Sequence, residues 1–491
     1  CSFRQCVGER AEFEGFEQSD EVGADRFGRG ARGEQRVGDK STCGEHHLRV
    51  AIFQAVEDHE VGAPARCDQA AVAQPDETVI SWSIALLLWA GVAGQGYRVI
   101  EVVQDTRPVH WPDLDEAAQI LAHTLGASRF AGDLLLASPE AVQMLGDADG
   151  LRPRERDELL NRMRAAASRR EEADAAVASI RAIRRAEIFR GAVADLQGRI
   201  NLEQVGHALT DISEAVIQAS LEVVVRAVEA DRGAPVGTDL LIVGMGRLGG
   251  SEMGYSSDAD VLYVHEPHEG TDDQAAQEAA LAVVGELRRL LGAPGSDPPL
   301  GLDADLRPEG KSGPLVRSLA SYASYYERWS ETWEAQALLR ARPVAGDPGL
   351  GERFTALIDP IRWPAEGLDA TQVREVRRLK ARMEAERLPR GADRKAHFKL
   401  GMGGLSDVEW TIQLLQMEHA HEHEGLRTTR TLPALAAAVD LGLVDGHDAT
   451  VLREAWSMAS LLRNAGMLFR GRPVDSVPSN LREADGVGRI V

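Results

Sequence analysis

Beyond Cys67 the chain has no cysteine: all four (Cys1, Cys6, Cys43, Cys67) fall within the first 67 of its 491 residues. The remainder must hold together without disulfides, which fits a reducing compartment and makes the cytoplasm the default expectation. Long apolar runs are also missing. The longest, ISWSIALLLWAGVAG at 80–94, is shorter than the roughly 20 residues a spanning helix needs. No basic start leads into an apolar core and cleavage site, so no signal peptide is read. Positive charge is in deficit, with 55 Lys and Arg against 77 Asp and Glu and a net charge of −22. Such a surface argues against non-specific nucleic-acid binding and against an anionic membrane, while leaving room for a small, locally positive nucleotide pocket.

The length allows two to four domains. Residues 1–114 show no sustained period of 3.6 or 2.0. They read either as a genuine but irregular region or as out-of-frame sequence joined to a real domain, and no function is assigned to them. Cys1 in place of Met and the GRIV ending suggest a piece of a longer chain. Residues 115–232 read as helical. Asn201 is a plausible N-cap, followed by an apolar stripe of Leu202, Val205, Leu209, Ile212 and Val216 at spacings of three and four. Residues 159–168 and 171–196 are helical with dense Arg and Glu on their other faces, and 231–235 reads as a linker. Residues 233–346 form a small domain with strands at 239–244, 261–264 and 300–306 and a helix at 275–291. Residues 318–338 turn helical again, and 347–367, with its Pro and Gly, reads as a boundary. Residues 347–491 form a C-terminal helical bundle. The fold class expected is α+β, a small mixed-sheet domain flanked by all-α segments.

The chemistry concentrates at 244–266, GMGRLGGSEMGYSSDADVLYVHE. A glycine-rich turn after an apolar strand can present backbone amides to phosphate. Asp258 and Asp260, two apart, project from one face of a strand, and Asp303 and Asp305 obey the same rule in LDADLRP. Three carboxylates converging within ~5 Å repel pairwise by roughly 3 kcal/mol at an effective dielectric near 20. Such a cluster calls for cations, Mg²⁺ above all, and two ions would clamp the attacking and leaving oxygens of an in-line displacement. The bland reading is that these are solvated loop aspartates.

A rival reading exists. Gly244-Met-Gly246-Arg-Leu-Gly249 is a literal G-x-G-x-x-G after a strand, and Glu266 ends the next, as in an NAD-binding fold. That fingerprint must open a helix of about three turns, and the eleven residues between Gly249 and Val261 are rich in helix breakers.

Four ordered blocks resemble the bifunctional glutamine-synthetase adenylyltransferase family, a branch of the nucleotidyltransferase superfamily. The pattern G-x-G-[KR]-L-G-G-x-E-[LM]-x-[YF]-x-S-D-x-D matches 244–260, and D-x-x-L-R-P-x-G-x-S-G-x-L-V matches 303–316. T-W-E-x-Q-A-L-L-R-A-R matches 332–342, and K-x-G-x-G-G-x-x-D-[IV]-E-[FW]-x-x-Q matches 399–413. The resemblance begins near residue 115 and runs to the end. It implies transfer of AMP from ATP to a tyrosine of glutamine synthetase, with PII-type signal proteins as regulatory partners. The wording of the third block resembles the C-terminal, adenylylating module. Asp258, Asp260 and Asp303 are then the catalytic and metal-binding residues, and Gly249, Gly250, Ser257, Arg307 and Lys311 the nucleotide contacts. Asp305 stands where the family often has Arg, which leaves its role open. Other readings are phosphorolytic removal of AMP by the same carboxylates, a regulatory module that binds a nitrogen-signalling protein without turnover, and, distantly, an NAD-dependent dehydrogenase.

Several residues carry ordinary structural readings. Arg307 and Lys311 can be surface charges offsetting local acid. Ser406 and Glu409 fit a capping box. Trp329 and Trp333, four apart, read as core. His419, His421 and His423, interleaved with Glu, read as a solvated face.

Overall fold

The computed structural model describes residues 114–146 and 149–491. The four cysteines and the apolar run at 80–94 lie outside the described residues. The first layer is helical: α1 (Leu114–Ala127), α2 (Arg129–Ala137), α3 (Arg156–Ala167), α4 (Ala173–Leu196) and α5 (Leu202–Arg232). Helix α5 has 31 residues, about 46 Å at 1.5 Å per residue, and spans the layer. Asn201 caps it as expected, in a reciprocal capping box with Gln204, and Gly233 at φ 64° ends it. Val205, Leu209, Ile212 and Val216 are buried as the stripe requires. The helix runs through Arg232, so the 231–235 linker shrinks to the turn after it. The Arg and Glu of α4 are not all solvated. Arg181, Arg184, Glu187 and Arg190 are buried, and Asp297 receives Arg181 at 2.8 Å and Arg184 at 3.3 Å, tying the helical layer to the loop at 293–301.

Five strands form one mixed sheet: β1 (Thr238–Gly244), β2 (Ala259–Pro267), β3 (Leu302–Asp303), β4 (Val316–Ser318) and β5 (Arg342–Gly346). β1 lies antiparallel between β2 and β5, while β3 and β4 pair parallel to successive parts of β2 along its other edge. The short helix α6 (Gly246–Gly249) follows β1, and α7 (Asp273–Gly292) follows β2. Both faces of the sheet are covered, so β1 and β2 read as near-continuous apolar runs. Leu240, Ile242, Ala259, Val261 and Tyr263 join the core shared with α3–α5 and α7. Leu241, Val243, Leu262 and Val264 join a second core on the opposite face. That second core includes α8 (Leu319–Trp329), α9 (Thr332–Leu338) and α10 (Pro348–Arg362).

Residues 347–367, expected to be a boundary, are mostly helix α10. Asp347 caps it through the amide of Leu350, and Leu350, Phe354 and Ile358 are fully buried. The strand expected at 300–306 shortens to two residues, because the chain turns after Asp303. Its carboxylate accepts the Asp305 amide at 2.7 Å. Trp329 does not enter the core: it is 68% exposed and sits on a different helix from Trp333.

The remaining helices are α11 (Ala370–Arg387), α12 (Leu405–His419), α13 (Thr431–Asp440), α14 (Gly446–Arg470) and α15 (Leu481–Gly488). Most of their apolar residues form a third core around Leu426, Leu435 and Trp456. Leu202 at the start of α5 packs against it.

Candidate active site

The antiparallel pairing of β1 with β2, Gly244 opposite Val261, decides between the two readings of the glycine motif. A dinucleotide fold needs a parallel crossover through a full helix. Here α6 is a single turn of four residues. The chain then turns through Gly254–Ser257, where the Ser257 hydroxyl accepts the Gly254 amide at 2.8 Å, and enters β2.

β2 starts at Ala259, earlier than the pattern of 261–264 suggested, and so includes Asp260. Asp260 shares its alternation with Leu262 and Val264, and Asp258 stands just before the strand on the same parity. Parallel pairing sets Asp260 directly beside Asp303. Asp303 is exposed, Asp260 half-buried and Asp258 exposed. Burial, the Asp303 charge and, more weakly, Asp258 push the Asp260 carboxyl up to about 6, against the opposing pull of Lys399 and Arg340. A carboxylate destabilised by two like neighbours is short of positive charge. An all-oxygen donor set of this kind suits a hard divalent cation. Among the described residues no three acidic, histidine or cysteine side chains already converge on one point as a cation cage.

The glycine turn lies over this pair. The amide of Met245 donates to the Asp260 carbonyl at 2.8 Å. Gly246 has φ 50°, and a Cβ there would come within 2.5 Å of Asp260 Oδ2. Only glycine lets the backbone come this close. Gly249 and Gly250 abut Arg340, the first against its carbonyl and the second against its guanidinium, so their missing side chains make room for packing. Arg342 donates to the carbonyls of Gly249 at 3.1 Å and Leu248 at 3.2 Å, satisfying the open end of α6.

Beyond Asp303, Arg307 is spent on its own loop, donating to the carbonyls of Ala304 (2.8 Å), Gly313 (3.0 Å) and Lys311 (3.0 Å). Asp305 is outside the strand and pairs with the exposed Lys311 at 3.0 Å. The acidic set is therefore Asp258, Asp260 and Asp303, with Asp305 turned to a different partner.

Three charged residues of the later blocks reach this region, although the sequence suggested no role for Lys399 or Arg340 and a capping box for Glu409. Lys399 is near enough to lower the Asp260 carboxyl, and Arg340 does the same from beneath the glycines. Glu409 is not part of a capping box, because α12 starts at Leu405 with Gly404 as N-cap and Ser406 already inside. Instead Glu409 lies 3.5 Å from both Arg247 and Arg340. The signal available was that blocks three and four each carry charged residues at fixed places. It gave no direction for them.

The comparisons with known proteins agree with this geometry. A family model described as glutamate-ammonia ligase adenylyltransferase matches residues 118–357. The bifunctional glutamine synthetase adenylyltransferase/adenylyl-removing enzyme of Streptomyces avermitilis is 55% identical over 396 residues, 77% of this chain and 39% of the relative. This chain belongs to the glutamine-synthetase adenylyltransferase family. Family relatives bearing the same name from Streptomyces coelicolor and Mycobacterium tuberculosis are 54% and 47% identical, over 77% and 76% of the chain. The chain spans about two fifths of the length of these relatives (39%, 39% and 38%). A second model, described as GlnD PII-uridylyltransferase, matches residues 377–487, the helices that supply Glu409 and Trp456. Among the described residues no helix is long and apolar enough to cross a membrane.

Proposed function

We propose that this chain transfers AMP from ATP to a tyrosine hydroxyl of glutamine synthetase and so adjusts nitrogen assimilation. The observation that carries the reading is Asp260 beside Asp303 beneath the Gly246 turn, in a chain of this family. Asp258, Asp260 and Asp303 would hold Mg²⁺, two ions in the fullest form of the reading. When bound, the metal supplies positive charge for phosphate oxygens and for the incoming hydroxyl.

The chain's own residues divide the rest of the work. A tyrosine hydroxyl, with a pKa near 10, is a weak nucleophile at neutral pH. Its oxygen forms a bond to the α-phosphorus while the bond from that phosphorus to the bridging oxygen breaks. Pyrophosphate leaves, and the hydroxyl proton passes to a carboxylate, for which Asp303 is the exposed candidate. Gly246 brings backbone close to the carboxylates, and Gly249 and Gly250 let the turn lie flat on Arg340. Ser257 fixes the turn that leads to Asp258. Lys311, exposed and paired with Asp305, and Lys399, close enough to act on Asp260, are cations suited to the leaving pyrophosphate. Arg307 acts by shaping the loop that carries Lys311.

The relatives' name also includes removal of AMP, and phosphorolysis of the same bond would use the same carboxylates. The likeness of 377–487 to a PII-uridylyltransferase supports a PII-type signal protein as a partner of the C-terminal helices. A cytoplasmic setting follows from these substrates.

The test combines protein, Mg²⁺, α-labelled ATP and unmodified glutamine synthetase. Label on the synthetase that disappears in Asp258→Asn/Asp260→Asn supports the proposal. If no label appears but phosphate releases ADP from adenylylated synthetase, the chain is the AMP-removing enzyme. Neither reaction, with ATP still raising the melting temperature, leaves a regulatory module.

A further inference from the structure

Behind the glycine turn, away from the carboxylates, lies a small cavity of about 20 Å³. Its wall comes from the turn itself (Arg247, Ser251–Met253), the start of α5, the start of α13 with Arg430, and Trp456, Ser460 and Asn464 of α14. Four polar atoms on these residues are buried without a hydrogen-bond partner: Arg247 Nη2, Arg430 Nε, Trp456 Nε1 and Ser460 Oγ. Trp456 is 4% exposed and Ser460 3%. Three of the four can only donate, and the hydroxyl of Ser460 can donate as well.

The acids nearby do not meet this demand. Glu252 already accepts the Arg340 guanidinium, the Thr431 amide (2.5 Å) and the Thr431 hydroxyl (3.0 Å). Glu203 is half in solvent and lies 3.4 Å from a different nitrogen of Arg430. Glu409 balances the charge of Arg247 as an ion pair at 3.5 Å but makes no hydrogen bond to Nη2. Arg247 is part-buried, lies over the Trp456 ring at 6.0 Å, and sits between the negative charges of Glu409 and Glu252 and the positive charges of Arg463 and Arg340.

We propose that this cavity binds one small inorganic anion, which pins the glycine turn to α14. The volume exceeds the 10–15 Å³ needed by a water-sized species but leaves no room for an organic ligand. A water molecule accepts two hydrogen bonds and needs acceptors for its own two protons, whereas an anion only accepts. The turn held this way continues through Gly254, where a Cβ would come within 2.5 Å of Asn464 Oδ1, into Ser257 and Asp258. Occupancy therefore stiffens the approach to the acidic pair from behind.

The test measures the melting temperature of the chain as it stands, at constant ionic strength. Gluconate, too bulky for the cavity, is replaced stepwise by chloride in one arm and by inorganic phosphate in the other. The expected result is a saturable rise of about 2 °C with at least one of the two. Trp456→Phe and Ser460→Ala each remove a donor while keeping the packing, and each should abolish the rise. No rise in the parent protein overturns the proposal and leaves the cavity to water. A rise that persists in both folded variants places the anion elsewhere and overturns it equally. Circular dichroism of each variant in gluconate establishes that it folds.

Discussion

Two clusters of charge lie on opposite sides of the glycine turn and are built on opposite rules. In front, Asp258, Asp260 and Asp303 gather like charges, and one of them is driven up to about 6. Behind, Glu252 meets Arg340 and Thr431, while Glu409 stands between Arg247 and Arg340. The rear cluster is more deeply buried, yet its charges are largely matched. The front cluster is nearer solvent and unbalanced. Buried ions that hold a fold must be neutralised by partners in the protein, because an unpaired charge there is strongly destabilising. Imbalance persists only where something outside the chain completes the site. The contrast separates acid that holds the fold from acid left open to a ligand better than acidity alone.

The contrast can be broken by exchanging the two behaviours. Asp260→Asn and Asp303→Asn should each lower AMP transfer by about 10³-fold, the scale of losing a metal-supported charge. Neither should lower the melting temperature, and Asp260→Asn should raise it above pH 6. A loss of stability alongside activity would place these residues with the rear cluster. Glu252→Ala should do the reverse in kind, costing about 3 kcal/mol in urea unfolding because the buried Arg340 keeps only Glu409 at 3.5 Å and Thr431 loses its acceptor. Gly246→Ala lies between the two. A side chain at φ 50° and 2.5 Å from Asp260 Oδ2 should cost about 1 kcal/mol and reduce transfer at least tenfold. The smallest change is expected at Lys311, exposed and paired only with Asp305. Lys311→Ala should leave unfolding unchanged and weaken ATP use a few-fold, read in KM.

A further prediction sharpens the rule away from the site. Asp195 accepts the Tyr255 hydroxyl at 3.1 Å, and burial pushes its carboxyl up to about 6. The folded chain thus holds this proton more tightly than the unfolded chain, where a carboxyl titrates near 3.9. Its charged form destabilises the fold above pH 6, and the penalty fades as pH falls from 6 towards 4. Asp195→Asn, which keeps an acceptor for Tyr255, should gain up to about 2 kcal/mol at pH 8 and nothing at pH 4. Paired urea titrations of parent and variant at the two pH values check the sign.

Some of this was written in the local sequence. The Asn201 cap, the stripe along α5, the apolar strands β1 and β2 and the shortage of residues for a dinucleotide helix are all short-range patterns. A helix or strand declares itself through period and capping, which depend on near neighbours. The Asp-x-Asp spacing likewise gave Asp258, just before β2, and Asp260, within it, the same parity. Tertiary structure decided the rest, because it depends on partners distant in the chain. Parallel pairing set Asp303 against Asp260 from 43 positions away, while a turn sent Asp305 to Lys311. Gly249 and Gly250 lie against Arg340 while Gly246 lies against Asp260, a division of the glycines that their spacing does not announce. Glu409 and Ser406 had the spacing of a cap but the wrong place in the helix, so Glu409 was left free to meet two arginines. The direction a charged side chain takes is set by what desolvates and neutralises it. That is a property of the packed chain and has no local period to reveal it.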